Sequence, residues 1–316
     1  MPRIVYLLPP SAGALTGGSK VAFRHVEALV ALGYDAAIRL LRDAEPPTWF
    51  EHSAPVERST GAPDPDDILV LPEDAGEVLA VVAAYPNRKV VFCQNPHGAA
   101  SQGLGRLSRQ AQARYRAYMA CSPGVALWIS RYLDHDIIGT VPAFADERIF
   151  VPAPKQRVIA AIPRKRPEEL RAIRHMFERL TGADASWRWE IIEGRSEAET
   201  ARALGEAAVF LSLARLEGMS MTILEAMACD CLVAGFTGVG PREYTTTMNG
   251  FWVAEDDTEA AAQALVRAVT LAEENAAGAH LMRHAGRTTA AQWSHAHFVQ
   301  ALDDFWRDAM GVTPAR

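Results

Sequence analysis

The fold class is decided by the stretch VFLSLARLEGMSMTILEAMACDCLVA, residues 209–234. It begins with a β-rich apolar run at Val209–Leu213 and continues through a short loop into an apolar helical pattern at Met221–Cys229. A second β-rich run follows at Cys231–Ala234. The order strand, helix, strand predicts a βαβ unit, in which the two strands are parallel.

Two glutamates flank the start of the predicted helix. Glu217 lies in the loop, and Glu225 lies inside the helix. Ser220 is a suitable N-cap, so the free amides of residues 218–222 would point toward the carboxyl end of the sheet, where α/β folds bind ligands. Amides there suit a phosphate, and the carboxylates suit sugar hydroxyls. The alternative interpretation is an ordinary loop glutamate and a solvated helix glutamate.

β-rich runs and helical patterns alternate along both halves of the 316-residue chain, which predicts two doubly wound α/β domains. Pro142, Pro152 and Pro154 predict a linker between them, because proline lacks a backbone donor and resists helix. The predicted strands are Arg3–Leu8, Ala36–Leu41, Asp67–Leu71, Lys89–Cys93, Ala117–Cys121, Arg157–Ile162, Trp187–Ile192, Val209–Leu213, Cys231–Ala234 and Gly250–Val253. The predicted helices are Gly18–Leu32, Ala75–Ala84, Leu104–Arg116, Gly124–Leu133, Pro167–Leu180, Ala198–Glu206, Met221–Cys229 and Thr258–Glu274.

The composition excludes several classes of protein. Apolar residues make up 49% of the chain and charged residues 22%, which is typical of a globular protein and not of a disordered one. The net charge of −6 argues against a general nucleic-acid binder. No apolar run approaches the roughly 20 residues that a membrane-spanning helix needs, and the amino terminus is too short for a secretory signal. The four cysteines do not form a disulfide framework or a zinc site, so we expect reduced, buried thiols in a cytoplasmic protein.

A second loop with possible chemistry connects the first predicted strand to the first helix. It contains Gly17 and Gly18, which would let the backbone approach an anionic ligand at the start of a helix. The loop matches neither the dinucleotide-binding fingerprint nor the P-loop pattern, so an ordinary structural loop remains an alternative.

The segment from Glu217 to Glu225 resembles the E-x7-E motif of glycosyltransferase family 4, the group 1 glycosyltransferases. Five further segments resemble motifs of that family in the same order along the chain, namely residues 17–35, 120–123, 141–150, 225–234 and 238–243. Within the fourth, Asp230 and Leu232 stand where the family usually has Gly and Pro.

This resemblance implies the GT-B fold, in which two Rossmann-like doubly wound domains face each other across a cleft. It implies an acceptor-side domain over residues 1–145 and a nucleotide-sugar-binding domain over residues 146–292. A helix within residues 293–316 is expected to pack back on the first domain.

The resemblance also implies a retaining hexosyl transfer from a UDP- or GDP-sugar, without a metal ion or other cofactor. Glu217 would contact the donor hexose and Glu225 the ribose. Basic residues after the first strand of the second domain would hold the diphosphate, where charge develops as it leaves. The residues implied in donor binding are Gly17, Gly18, Arg164, Lys165, Gly218, Met219, Ser220 and Glu225, with Arg166 as a further basic candidate.

Many members of the family carry a histidine at the end of a first-domain strand, near the reacting sugar. This chain has Cys-Gln-Asn-Pro-His-Gly at residues 93–98, so either His97 or Gln94 occupies that position. His97 is the predicted catalytic residue of the first domain.

The sequence leaves the acceptor open among a glycan, a lipid-linked and a small-molecule acceptor. Residues 103–119 carry four arginines and no acid, which predicts a basic helix that could face an anionic acceptor or a membrane surface. A solvated helix face is the alternative. Two other functions remain open, a non-catalytic nucleotide-binding or partner-binding subunit and a nucleotide-sugar epimerase.

Overall fold

The computed structural model describes residues 2–9, 13, 16–42, 44–58, 61–182, 186–274 and 276–315. The chain forms two compact units. The first comprises Met1–Ala143 together with Ala296–Arg316, and the second comprises Phe144–His295. In the described part of the chain, no helix is both long and apolar enough to cross a membrane.

The first unit is built on a seven-stranded parallel sheet with the order β3-β2-β1-β4-β5-β6-β7. Most of its strands are apolar on both faces, as expected for a sheet covered by helices. The strands are β1 (Ile4–Leu8), β2 (Ala36–Leu40), β3 (Val56–Arg58), β4 (Ile68–Pro72), β5 (Arg88–Cys93), β6 (Ala117–Ala120) and β7 (Ile137–Thr140). The helices are α1 (Gly17–Ala31), α2 (Gly76–Val82), α3 (Pro96–Ser101), α4 (Arg109–Gln112) and α5 (Pro123–Tyr132).

The second unit is built on a five-stranded parallel sheet with the order β12-β11-β10-β8-β9. Its central strand is buried along its whole length. The strands are β8 (Gln156–Ala161), β9 (Arg188–Ile191), β10 (Ala207–Leu213), β11 (Leu232–Phe236) and β12 (Phe251–Val253). The helices are α6 (Pro167–Leu180), α7 (Glu197–Glu206), α8 (Met221–Ala228), α9 (Thr258–Glu274) and α10 (Ala276–Ala291).

The last helix, α11 (His295–Asp304), contributes to the first unit. Phe298 is buried, and its ring centroid lies 5.1 Å from that of His25 on α1. The Tyr34 hydroxyl donates to Asp303 at 2.7 Å. The end of the chain is therefore tied to the first unit through both apolar and polar contacts.

All ten predicted strands are confirmed, and the sequence reading missed β3 and β7. The three residues of β3 are too few to show an alternating pattern, and β7 contains a glycine. The four cysteines are buried and form no disulfide.

The predicted helix Leu104–Arg116 is wrong, and so is the continuous basic helix over residues 103–119. A Cβ on Gly103 would lie 1.7 Å from the Glu73 carbonyl oxygen, and one on Gly105 would lie 2.1 Å from that of Ala100. These close approaches keep the chain in a short 3-10 turn at Leu104–Arg106. Because the four arginines do not share one helix face, the argument that this helix faces an anionic acceptor or a membrane no longer holds.

Candidate functional site

Glu217 lies in the loop between β10 and α8, at the carboxyl end of the central strand. Its side chain is 17% exposed, and its Oε1 lies 2.5 Å from the Lys165 ammonium. Its other oxygen, Oε2, is buried and has no hydrogen-bond partner among the residues that the structure describes. A buried carboxylate oxygen without a partner is costly, and a hydroxyl donor from a ligand would satisfy it.

Lys165 and Arg166 follow β8 but have different surroundings. Arg166 is fully buried; its Nε donates to the Ala214 carbonyl at 3.1 Å, and its Nη1 donates to Asp256 at 2.5 Å. It also pairs with Glu255, and its guanidinium lies 4.3 Å from the centre of the Phe236 ring. Arg166 therefore joins the segments that follow β8, β10 and β12 to the last residue of β11, and it is not available to a diphosphate.

Arg164 is exposed, and no described carboxylate lies within ion-pair distance of it. Lys165 is only partly exposed and bonds Glu217. Of the three consecutive basic residues, Arg164 and Lys165 thus remain able to meet an anionic ligand.

The start of α8 presents three backbone amides. Within the described residues, the amides of Gly218, Met219 and Ser220 have no acceptor. Ser220 occupies the predicted N-cap position of α8, and its hydroxyl pairs with that of Thr222 at 3.2 Å and caps no amide. Unpaired amides at a helix start favour an anion, because they add to the positive end of the helix dipole.

The loop after β11, which contains Gly238 and Gly240, bonds to the backbone of the Glu217 loop. The Gly240 amide donates to the Glu217 carbonyl at 2.9 Å, and the Val239 amide donates to the Arg215 carbonyl at 3.1 Å. A Cβ on Gly240 would lie 2.0 Å from the Gly218 carbonyl oxygen. Glycine is needed at 240 because the two backbones touch.

We expect Gly240→Ala to weaken this contact. The obstructing atom belongs to the backbone, so we expect the free energy of unfolding to fall by about 1–3 kcal/mol. Urea unfolding measures the effect. Gly286→Ala is the matched control in the same unit, because its nearest obstruction is the flexible Met227 side chain at 3.4 Å. Equal unfolding midpoints for Gly240→Ala and the native protein would contradict the expectation.

Glu225 and Tyr244 complete the described surroundings of this loop. Glu225 is buried on the second turn of α8. The Tyr244 hydroxyl donates to the Ser220 carbonyl at 2.8 Å. Burial first, and then the charges of Glu217, Glu243 and Glu225, raise the pKa of Tyr244 well above its usual value, so it stays a neutral donor.

In the first unit, Gly17 and Gly18 open α1 directly after the β1 loop. Gln94, at the end of β5, donates from Nε2 to the Gly18 carbonyl at 3.2 Å. His97 lies on the exposed first turn of α3, where its amide donates to Asn95 at 3.1 Å. The structure thus brings Gln94, and not His97, into contact with the glycine loop.

Sequence reasoning missed Glu73 beside this loop. It follows β4, is buried, and accepts the Asn95 amide at 2.7 Å. No motif pointed to it, because its partners come from another strand.

The first unit also contains a cavity of about 1140 Å³ between α2 and the sheet. Its lining mixes apolar and charged side chains, among them Leu7, Leu41, Val82, Arg42, Asp74 and Arg106.

Across the described ranges, no three metal-ligating side chains cluster. The Asp64-Pro65-Asp66 sequence forms a turn closed by the Asp67 amide on the Asp64 carbonyl at 3.0 Å.

Comparison with known proteins shows which sequences and folds this chain resembles. Residues 159–270 match the family model "Glycosyl transferases group 1". An α-1,6-glucosyltransferase of Actinobacillus pleuropneumoniae serotype 7 is 29% identical over 275 residues, which cover 80% of each chain.

Two solved structures resemble the whole chain. Anabaena HepE in complex with UDP and glucose superposes with a TM-score of 0.71 at 13% identity, covering 99% of this chain and 100% of that one. Sucrose-phosphate synthase from Thermosynechococcus elongatus gives a TM-score of 0.69 at 14% identity, covering 98% and 100%. The fold is therefore GT-B. In sequence, the chain is similar to group 1 glycosyltransferases over residues 159–270.

Proposed function

We propose that the protein transfers glucose from UDP-glucose to a glycan acceptor with retention of the anomeric configuration and without a metal ion. The main support for the proposal is the arrangement of polar groups at the start of α8. There, three unpaired amides adjoin a carboxylate with one unpaired, buried oxygen. This combination suits a ligand that carries both a diphosphate and sugar hydroxyls.

The identity of the sugar is supported by the relatives. One relative is named an α-1,6-glucosyltransferase, and HepE was crystallised with UDP and glucose. UDP-glucose is an α-linked donor, so the formation of an α-linkage by this chain would mean retention.

In the proposed complex, the amides of Gly218, Met219 and Ser220 bind the diphosphate, and Arg164 assists from solvent. Glu217 accepts a hydrogen bond from a glucose hydroxyl, and Glu225 accepts from the ribose. The diphosphate draws Lys165 away from Glu217, because two phosphates carry more negative charge than one carboxylate. Lys165 then stabilises the charge that develops on the leaving group.

The transfer step breaks the bond between C1 of glucose and the β-phosphate oxygen. The acceptor hydroxyl attacks C1 from the same face, and its proton passes to the departing phosphate oxygen. UDP and the extended glycan leave. No further co-reactant is needed.

We place the acceptor in the first unit, which carries the cavity beside α2. In its lining, Asp74 and Glu77 offset Arg42 and Arg106. The fifth charged residue of the lining, Arg39, already bonds Glu57 at 2.5 Å. Balanced polar groups between apolar walls suit a neutral glycan, whose hydroxyls need hydrogen bonds and whose C–H faces pack on apolar side chains.

A nucleotide screen tests the proposal. UDP and UDP-glucose should raise the melting temperature, and GDP and ADP should not. At a concentration of 100 times Kd, binding adds about 2.7 kcal/mol of stability. NMR of the product from UDP-glucose and a gluco-oligosaccharide should show an α-anomeric signal, with the same yield in EDTA.

Other results of the nucleotide screen and the turnover assay would indicate a different function. No shift with any nucleotide would contradict the donor site. A shift with UDP but no turnover with any acceptor would favour a non-catalytic subunit. Conversion of UDP-glucose to another UDP-sugar without an acceptor would favour an epimerase.

A further inference from the structure

Glu73 is a buried carboxyl group at the carboxyl end of the first unit's sheet. It is 3% exposed, and it has no ion-pair partner within the described ranges. Lys, Arg, Asp and Glu are almost never fully buried without a partner, so the placement calls for an explanation.

Glu73 bonds, through its carboxyl group, a backbone amide of the loop that follows β5. Its Oε1 accepts the Asn95 amide at 2.7 Å. Its backbone carbonyl accepts the Leu104 amide at 3.2 Å. One residue therefore joins the segments after β4 and β5 to the turn that begins at residue 104.

The loop held by Glu73 carries both first-unit candidates for catalysis. Gln94 reaches from this loop to the Gly18 carbonyl at the start of α1. Asn95 accepts the His97 amide through its side chain and so starts α3. A shift of the Gln94–Asn95 backbone would move Gln94 and His97 together.

We propose that Glu73 is a positioning residue that fixes the loop of Gln94 and His97 against the start of α1, where this loop would contact the acceptor. This inference rests on the proposed glycosyl transfer. Glu73 itself touches no substrate; it acts through the backbone amide that it holds.

The protonation state of Glu73 makes the role testable. Burial, and then the charge of Asp74, raises its pKa from 4.5 to about 8, although the bound amides act in the opposite direction. Two titratable groups interact with Glu73. The charge of Asp74, beside it, raises the pKa of Glu73, and the charge of Glu73 raises the pKa of the Cys93 thiol on β5. At neutral pH the carboxyl is protonated, and above pH 8 a buried negative charge would appear next to the loop.

The raised pKa of Glu73 makes the stability of the folded protein depend on pH. Between its ordinary pKa of 4.5 and its folded pKa of about 8, the folded state holds this proton and the unfolded state does not. Stability contributed by this group therefore falls as the pH rises through that interval, and the fall ends above pH 8. Loop order and acceptor turnover should fall on the alkaline side.

The experiment compares Glu73→Gln with Glu73→Ala in the full chain. The glutamine keeps an oxygen for the Asn95 amide but cannot ionise, so we expect turnover within about twofold of the native enzyme at pH 7 and no Glu73-dependent fall between pH 7 and 9. The alanine removes the oxygen that accepts the Asn95 amide, so kcat/KM for the acceptor should fall about tenfold or more at every pH. The UDP-induced rise in melting temperature should not change in either variant, because the α8 amides and Glu225, to which the proposed function assigns UDP, lie in the second unit.

Two results would overturn the proposal. One is unchanged acceptor kinetics in Glu73→Ala, and the other is an alkaline fall in Glu73→Gln equal to that of the native enzyme. If Glu73→Ala does not fold, the pH profile of Glu73→Gln still decides. If the native protein transfers no sugar, amide hydrogen exchange at residues 94–97 separates the two hypotheses: faster exchange in Glu73→Ala than in Glu73→Gln supports the positioning role, and equal exchange contradicts it.

Discussion

Replacing Glu217 by Gln should abolish most of the proposed glucosyl transfer while leaving the proposed UDP binding nearly intact. The variant keeps the shape of the side chain but loses the charge that pairs with Lys165 and the strong acceptor at the buried Oε2. Loss of one well-placed polar contact in the transition state costs about 100- to 1,000-fold in kcat. Initial rates with UDP-glucose and a glycan acceptor measure the loss, and the UDP-induced melting shift measures nucleotide binding.

Glu193→Gln is the matched control. Glu193 is an exposed glutamate that follows β9 in the same unit, so the same change of charge should leave turnover unaltered. A Glu217→Gln enzyme that retained more than about a tenth of native turnover would contradict the role of Glu217. A variant that lost UDP binding as well would instead indicate that the Glu217 loop had collapsed.

The parallel α/β architecture could be predicted from the sequence because its signals are local. Each β-rich run and each amphipathic helix carries its own periodicity, and the strand, loop and helix around Glu217 lie within one short stretch. The spacing of Glu217 and Glu225 is likewise visible without knowledge of any distant partner. These features place the carboxylates and the loop amides at one end of the sheet.

Other features depend on contacts between distant parts of the chain, and the sequence does not show them. In the sequence, Arg164, Lys165 and Arg166 are three equivalent basic residues. Contacts of Arg166 with distant residues make it structural, among them Ala214, Asp256 and Glu255, which lies 89 residues beyond it. The glycines that break the predicted helix after residue 103 are required by backbone atoms of residues 73 and 100.

The departure from the family pattern at Asp230 has a backbone explanation. Its φ is 68°, in the left-handed region that glycine prefers and that aspartate tolerates. Its carboxylate also pairs with Arg287. The replacement of Gly by Asp therefore leaves the turn after α8 intact.

Replacing Arg166 by Met should produce the largest loss of stability of any single substitution considered for the second unit. The buried guanidinium bonds the Ala214 carbonyl, Asp256 and Glu255, and it stacks on Phe236. Removing one partner of a buried ionic cluster costs about 3–5 kcal/mol. We expect the lower end, about 3 kcal/mol, because the side chains of Glu255 and Asp256 retain 27% and 68% exposure and can be hydrated.

Urea unfolding followed by tryptophan fluorescence measures this loss, and the transition of the second unit should move to lower urea. Arg171→Met is the control, because Arg171 is an exposed arginine on α6 that pairs with the exposed Glu168, and it should shift the transition little. Arg166 adjoins Lys165 and is bonded to the strand that leads to Glu217, so the folded Arg166→Met protein should also bind UDP more weakly. An unchanged unfolding transition together with native UDP binding would mean that the carboxylates and Phe236 hold these loops without the guanidinium.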